Sequence, residues 1–287
     1  AWRGIFHSVS AFCNAGFALY SDSLVGFREQ PLVLLVIAAL ITLGGLGFAV
    51  LSFAWLRLRS RARIGLATQV RIVLLASAAL TALGFLGVAA AEWQRGLAGL
   101  GTVDKLVNAL FQSVTCRTAG FNSIGLEALH PATLMLFMAL MFVGASPGGT
   151  GGGIKTTTFA LVLLATRATL RGRQEVEAFG RTIPQATVQR AAVITLLFIV
   201  AWAVGAVALL ASQDGLTTEQ ILFETTSAIG TVGLSMGATT GLDEFGKLLI
   251  TFLMYLGRIG PLTLTLALGQ RLQTHAVRFP EGKVVVG

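Results

Sequence analysis

Three short segments of this 287-residue sequence share one order of residue types. In each, an aromatic residue is followed by a run rich in serine and threonine and then by a glycine with an apolar residue after it. The segments are Phe6–Phe17, Phe111–Phe121 and Phe223–Leu234. Their glycines, Gly16, Gly120 and Gly233, are separated by 104 and 113 residues, which is room for two membrane spans and a short helix. The sequence therefore predicts a structural repeat.

The chemistry that suits these glycines is the coordination of a dehydrated monovalent cation. Backbone carbonyl oxygens can replace the hydration shell of such an ion without a fixed charge that would hold it too tightly. Glycine adopts positive φ at little cost, so the backbone can turn its carbonyls inward. We predict that Gly16, Gly120 and Gly233 form a filter for K⁺, with Na⁺ left open, and that no other cofactor binds. The adjoining carbonyls are predicted to come from Asn14, Ala15, Thr118, Ala119, Thr231 and Val232. A surface turn is the alternative for any one glycine taken alone.

A glycine-rich stretch interrupts the apolar region 133–168. It covers residues 144–153, where a straight helix would cost about 1 kcal/mol per glycine and about 3 kcal/mol for the proline it contains. We predict a broken span whose unwound backbone lies below the filter, on the cytoplasmic side, as the candidate gate. The residues of this gate are Gly148, Gly149, Thr150, Gly151, Gly152, Gly153 and Lys155. A nucleotide phosphate loop is excluded because Ile154 stands where glycine must precede the lysine.

Two charged residues fall in or beside the apolar regions, where a charge is costly enough to suggest a function. Lys155 follows the glycine-rich stretch, and Arg258 is predicted near the middle of the last span. We expect the guanidinium of Arg258 to bind carbonyls freed by the broken helix and to hold the gate shut. Snorkelling of either side chain to the membrane surface is the alternative. Beside the second segment, we expect a structural hydrogen-bonding role for Arg117.

The elements that position these residues are predicted to be membrane helices. Hydrophobic residues make up 54% of the chain, charged residues 12%, and the mean hydropathy is +0.78. Four apolar stretches are about 20 residues or longer, enough to cross roughly 30 Å of hydrocarbon. They are residues 31–56, 70–91, 188–211 and 245–268. The glycine segments are too short and polar to span, so we expect them to dip into the membrane and return. We expect Gly44, Gly45 and Gly47 to serve close helix packing.

The positive charge of the chain is distributed unevenly. The net charge is +8, and thirteen of the 21 basic residues lie in two loops and the C-terminal tail. This positive-inside pattern predicts a multi-pass protein of the cytoplasmic (inner) membrane with those loops and the C-terminus in the cytoplasm. Because the pattern accounts for the arginines, no nucleic-acid partner is predicted. An enzyme is not predicted either, since the sequence has no HExxH motif and no paired carboxylates within its apolar stretches.

Five strings resemble signature segments of the bacterial Trk/Ktr family of potassium-uptake proteins. They are FHSVSAFCNAGFALYSDSL, FQSVTCRTAGFNSIGL, GASPGGTGGGIKTTTF, FETTSAIGTVGLS and LMYLGRIGPLTL. The resemblance implies an all-α integral membrane protein with pseudo-fourfold, potassium-channel-like repeats, each made of a helix, a re-entrant pore helix with filter, and a second helix. It implies that a mobile intramembrane loop closes the pore. It also implies a homodimer in membrane lipid that binds cytoplasmic nucleotide-binding regulatory subunits of the KtrA or TrkA kind.

The resemblance divides the chain into three parts. Residues 1–63 form a partial second repeat, a pore loop plus the following span; residues 64–175 form the third repeat, with the broken helix; residues 176–287 form the fourth repeat and a cytoplasmic tail. The first repeat is then missing, and we expect the sequence to be a truncated form or a fragment. A secondary transporter of an organic solute, with the broken helix as its binding site, remains the alternative.

Overall fold

The computed structural model describes residues 1–59 and 67–260. Arg61 and Arg63 of the first basic loop lie outside the described residues, as do the end of the fourth predicted span and the C-terminal tail. Within the described residues the chain is mostly helical, and one short pair of strands interrupts the series of helices. The predicted helical fold class is therefore confirmed.

The first helices surround the first glycine segment. Helix α1 spans Trp2–Phe12, and a 3-10 turn at Val25–Phe27 leads to α2, Pro31–Leu46, where proline occupies a position that needs no N–H donor. Helix α3, Phe48–Arg59, follows after a bend of 101° at Gly47, whose φ is 86°. The prediction of one straight helix over residues 31–56 is therefore corrected to two helices, since glycine permits this backbone geometry.

The middle of the chain contains the broken helix. Its elements are α4, Thr68–Glu92; α5, Thr102–Thr115; α6, Pro131–Phe142; and α7, Thr156–Leu170. The glycine-rich loop, residues 144–153, separates α6 from α7, so the interruption predicted from glycine and proline content is present. A parallel bridge between Val143 and Ile154 joins the two ends of the loop. The two ends of the loop therefore lie side by side.

The last part begins with a small hairpin. Its strands β1, Val176–Ala178, and β2, Arg181–Ile183, are antiparallel, and four helices follow them. These helices are α8, Gln185–Ser212; α9, Thr218–Gly230; α10, Ala238–Gly241; and α11, Glu244–Ile259. Side chains fix two of their starts: Thr217 and Gln220 form a capping box before α9, and Asp243 caps α11.

Two helices of the described chain, α4 and α8, are long and apolar enough to cross a membrane, and the bent pair α2 and α3 makes a third if it counts as one broken span. Helices α6 and α7 are apolar but shorter. Helix α9 differs from all of these, because every residue from Phe223 to Gly230 is buried although several are polar. Such a helix can lie at membrane depth only if the surrounding helices shield it from lipid.

Apolar packing joins neighbouring parts of the chain. One core cluster contains Leu80 of α4, Phe137 of α6 and Phe223 of α9. Another joins Leu34 of α2 to Phe111 of α5. Each cluster also buries the apolar residue that follows a glycine segment, Leu234 in the first cluster and Phe121 in the second. The core thus holds the second and third glycine segments against their neighbours.

Candidate functional site

The three glycine segments, defined as Asn14–Gly16, Thr118–Gly120 and Thr231–Gly233, follow directly on the short helices α1, α5 and α9. In each, the residue before the glycine donates its backbone N–H to a carbonyl in the last turns of the helix. The bonds run from Ala15 to Ser10, from Ala119 to Thr115 and from Val232 to Ser227, at 2.9, 3.0 and 2.8 Å. The bond reaches back five residues in the first and third segments and four in the second, and all three segments lie beside the negative ends of helix dipoles.

The backbone conformation of the segments also repeats. The first residue of each has positive φ, at 50° for Asn14, 74° for Thr118 and 53° for Thr231. The glycines have φ of 73°, 85° and 94° in chain order. Only two other non-glycine residues of the described chain have positive φ, a conformation that is kept where the surroundings enforce it. The residue between them is not among the residues with positive φ, so the sign of φ alternates along each segment.

The first segment meets the second in the same way as the second meets the third. A Cβ atom added to Gly16 would overlap with the carbonyl oxygen of Ala119, and one added to Gly120 would overlap with that of Val232. Each of these glycines therefore faces the carbonyl that precedes the glycine of the next segment. A Cβ on Gly233 would have Gly120 Cα as its nearest neighbour, at 3.7 Å. The structure thus brings all three predicted glycines together.

Polar side chains at the first position of each segment form a layer beneath the glycines. The Asn14 amide and the Thr118 hydroxyl are hydrogen-bonded at 3.3 Å. Thr231 Oγ1 accepts the backbone N–H of Gly152 at 3.0 Å, and a Cβ on Gly151 would overlap with Thr118 Oγ1. The glycine-rich loop therefore lies directly against this polar layer.

A hydroxyl at the same position of each short helix ties the segment to the helix. Ser10 Oγ donates to the carbonyl of Phe17 at 2.8 Å, and Thr115 Oγ1 donates to that of Phe121 at 2.7 Å. In the third copy Ser227 Oγ accepts the backbone N–H of Gly233 at 3.1 Å. These hydroxyls were not predicted from the sequence. A signal was present in the sequence, because each hydroxyl stands four residues after the aromatic residue that begins its repeat, Phe6, Phe111 or Phe223.

The residue directly after that aromatic residue binds the chain that leaves the segment. His7 Nε2 accepts the N–H of Leu19 at 3.2 Å, and Gln112 Nε2 donates to Ser123 Oγ at 3.2 Å. Glu224 accepts the hydroxyl of Ser235 at 2.6 Å, and that of Thr239 as well. Three different side chains perform one task, so similarity of residue type did not reveal the position.

The glycine-rich loop is attached on one side to the end of α2. Ser146 N–H donates to the Gly45 carbonyl at 2.9 Å, and Thr150 N–H donates to the Gly44 carbonyl at 3.1 Å. In the opposite direction, Phe48 N–H donates to the Gly148 carbonyl at 3.1 Å. The expectation of helix packing is therefore corrected for Gly45 and Gly47, which meet the loop, whereas Gly44 also packs against α1, where an added Cβ would overlap with the Phe12 carbonyl oxygen. A Cβ at Gly47 would lie 2.5 Å from the Pro147 oxygen.

On its other side the loop contacts α11. Gly153 N–H donates to the Gly257 carbonyl at 3.3 Å, and Arg258 Nη1 donates to the Thr150 carbonyl at 2.5 Å. Arg258 lies in the last turn of α11, which ends at Ile259, so its predicted place near the middle of a helix is wrong. Its predicted contact with a freed carbonyl of the loop is present. Lys155 Nζ donates within the loop, to the Gly151 carbonyl at 2.7 Å.

Glycine is favoured at two positions of the loop by positive φ and at others by the lack of space for a Cβ atom. Gly148 and Gly153 have φ of 75° and 69°. A Cβ on Gly149 would lie 2.7 Å from the Gly45 oxygen, and one on Gly152 would overlap with Thr231 Oγ1. The loop is therefore packed at these positions against the end of α2 and the polar layer.

Arg117, the residue before the second segment, connects that segment to two other elements. Its guanidinium donates to the Ser77 carbonyl at 3.2 Å and to the Ser77 and Thr81 hydroxyls on α4. It also reaches the Gly144 carbonyl at the start of the loop, at 3.5 Å. These contacts fit the hydrogen-bonding role expected for this arginine.

The atoms at the site that could coordinate a cation are neutral oxygens. Ala119 and Val232 present carbonyls at the glycines, and Thr118 and Thr231 present hydroxyls beneath them. Across residues 1–59 and 67–260, no three His, Cys, Asp or Glu side chains are grouped as a metal site, and both cysteines are free. Neutral carbonyls and hydroxyls are suited to a weakly held monovalent cation.

Comparison with known proteins gives relatives along the whole chain. The potassium/sodium uptake protein NtpJ of Enterococcus hirae and the Ktr system potassium uptake protein B of Bacillus subtilis are each 40% identical to it. Both matches cover 100% of this chain and 64% of the relative, so the chain spans less than two thirds of their length.

A solved structure shares the fold. The crystal structure of the potassium transporter TrkH from Vibrio parahaemolyticus superposes with a TM-score of 0.77 at 20% identity, over 93% of this chain and 58% of that one. The family model described as "TrkH: Cation transport protein" matches residues 1–275. These matches confirm the family identified from the glycine segments and the broken helix, and the chain belongs to the TrkH family of cation transport proteins.

Proposed function

We propose that this chain forms most of a pore for the uptake of potassium across the cytoplasmic membrane, with the carbonyls of the three glycine segments as its filter. The observation that carries the proposal is one backbone geometry repeated three times, with Gly16 and Gly120 each facing the carbonyl of the next segment. Uncharged oxygens arranged around an axis suit a monovalent cation that must enter and leave. The names of the similar proteins support K⁺ first and Na⁺ second.

The glycine-rich loop is the proposed gate of this pore. Its residues Gly148–Gly153 and Lys155 lie against the polar layer under the glycines, where an ion leaving the filter must pass. Arg258 is proposed to stabilise the closed position, since a guanidinium bound to a carbonyl is a strong hydrogen bond. The unwound backbone at this depth is tolerated because it is packed between α2 and α11.

The assembly that we propose is larger than the chain. Residues 1–63, 64–175 and 176–287 are proposed as parts of three pore repeats, and relatives of greater length leave room for another. The arginine distribution supports a cytoplasmic C-terminus. A homodimer and cytoplasmic nucleotide-binding regulatory subunits are proposed as partners, and the word "system" in the names of two similar Ktr proteins agrees with several components.

The test is rescue of a bacterium that lacks its own potassium uptake, at low external K⁺. The chain is expressed alone and joined to the part of the Bacillus subtilis relative that it does not match. We expect the joined protein to restore growth, and the same protein with Gly120→Ala to fail. Gly215→Ala is the matched control, because Gly215 has a similar φ of 89° and open space around it. Membrane-inserted protein that restores no K⁺ uptake but accumulates a labelled organic solute would replace this proposal with the solute transporter.

A further inference from the structure

Helix α3 carries a large apolar surface that the proposed ion path does not use. Phe48 is 75% exposed, Trp55 63% and Leu58 85%, and Val50 is the one buried residue among those described for this helix. Phe48, Trp55 and Leu58 follow one another at intervals of seven and three residues, so they form one stripe along the helix. This stripe requires an apolar environment that the described residues do not supply.

The position of α3 places this stripe at one end of the membrane helices. Val50 packs with Val70 and Val73, which lie in the first two turns of α4. The bend of 101° at Gly47 turns α3 across the direction of α2. If α2 runs through the membrane, α3 therefore runs along its surface, at the end where the first basic loop begins.

The charges of this region are of one sign. Arg57 and Arg59 lie exposed in the last turn of α3, and no acidic residue occurs in the sequence between Glu29 and Glu92. Neither arginine belongs to an ion pair among the described residues. A surface with tryptophan, large aliphatic side chains and unneutralised arginines is the composition of helices that lie in the interface of an anionic membrane.

We propose that α3 is a membrane-surface helix that binds anionic phospholipid headgroups of the cytoplasmic leaflet through Arg57 and Arg59, with the stripe around Trp55 inserted among the acyl chains. The inference rests on the membrane orientation proposed above. Each arginine near such a surface strengthens binding about fivefold. A second copy of the chain is the less suitable occupant, because an equally basic partner helix would repel these two arginines.

The experiment measures quenching of Trp55 by lipids brominated in their acyl chains. The other three tryptophans, Trp2, Trp93 and Trp202, are replaced by phenylalanine, and the protein is reconstituted in vesicles with equal fractions of brominated phosphatidylglycerol or brominated phosphatidylcholine. We expect stronger quenching by the phosphatidylglycerol. Arg57→Gln with Arg59→Gln is expected to lower the relative affinity for phosphatidylglycerol about 25-fold.

The matched control removes the same charge from another basic loop. Arg171→Gln with Arg173→Gln changes two exposed arginines beyond α7 and is expected to leave quenching of Trp55 unchanged. Equal quenching by both lipids, or equal effects of the two double variants, would overturn the proposal. So would quenching of Trp55 by aqueous acrylamide alone, which would place α3 in water, or protection from every quencher, which would place it under protein. No ion flux is measured, so these outcomes are independent of the transport proposal.

Discussion

Replacement of a glycine in the proposed filter by alanine has two energetic costs, that of positive φ and that of overlap with a neighbouring carbonyl. Gly120→Ala has both of them. Gly120 has φ of 85°, where an alanine costs about 1–2 kcal/mol. Its Cβ would also overlap with the Val232 carbonyl oxygen, and relief of such overpacking costs about 1–3 kcal/mol more and moves that carbonyl. At Gly215, with φ of 89° and nothing within 4 Å of an added Cβ, alanine carries the first cost alone. The difference between the two variants therefore isolates the displaced carbonyl.

The assay is flux of K⁺ and of Na⁺ into proteoliposomes that contain the joined protein described above. We expect Gly120→Ala to lose discrimination between the ions by about tenfold or more, which corresponds to about 1.4 kcal/mol, and Gly215→Ala to keep it. Gly233→Ala should lie between them, because its Cβ has 3.7 Å to its nearest neighbour. The reasoning is refuted if all three variants discriminate K⁺ from Na⁺ equally well.

Three further substitutions test the proposed gate, the hydrogen bonds accepted by Glu224 and the Asp243 cap of α11. Arg258→Gln removes a charged donor from the Thr150 carbonyl, a bond worth about 1.5–3 kcal/mol, so we expect K⁺ flux to rise about tenfold or more in the proteoliposome assay. Glu224→Gln weakens the acceptor of two hydroxyls at a buried site and should cost about 1–3 kcal/mol, seen as a thermal midpoint lower by about 2–4 °C per kcal/mol. The Gly246 N–H and then the Gln213 side chain hold the pKa of Asp243 below its usual range. Its stabilising effect is therefore present above the unfolded pKa of about 3.9 and is lost as pH falls through the lower folded pKa. Asp243→Asn should remove this dependence from denaturation curves measured at acid pH.

Each of these expectations has a result that contradicts it. Arg173→Gln removes an exposed arginine between α7 and β1, and an equal rise in flux for this variant would mean that Arg258 acts through general charge. Glu29→Gln changes an exposed carboxylate, so the same loss of midpoint there would remove the argument from the buried hydroxyls. An unchanged acid-side slope after Asp243→Asn would assign the titration to other groups.

Local patterns were sufficient to predict the three glycine segments and the broken helix. Gly16, Gly120 and Gly233 stand out because the same order of residue types surrounds each of them, and such repetition needs no knowledge of distant contacts. The break between α6 and α7 follows from glycine and proline, which destabilise a helix whatever lies beside it. The role of these residues in selecting and gating an ion stays a prediction.

What the sequence could not provide depends on residues far apart in the chain. The hydrogen bonds of Gly44 and Gly45 to the loop were not predicted, because the loop that binds them comes about a hundred residues later. The bend at Gly47 was hidden in a continuous apolar run, since hydrophobicity alone does not distinguish a straight helix from a bent one. The place of Arg258 was missed because the apolar run continues past Gly260, which has φ of 90°, although glycine followed by Pro261 is a signal for the end of a helix.

The bonds between the loop and the end of α2 run from main chain to main chain. No side-chain substitution other than proline removes such a bond, so mutation can fill the space around it but cannot delete it one group at a time. The hydrogen-bond energy that attaches the loop to α2 therefore does not depend on which side chains the loop carries. Adjustment of how tightly the loop is held falls to the side chains that touch it, among them Arg258, Lys155, Thr231 and Arg117. Substitutions at such positions can change how tightly the loop is held while its main-chain attachment to α2 stays the same.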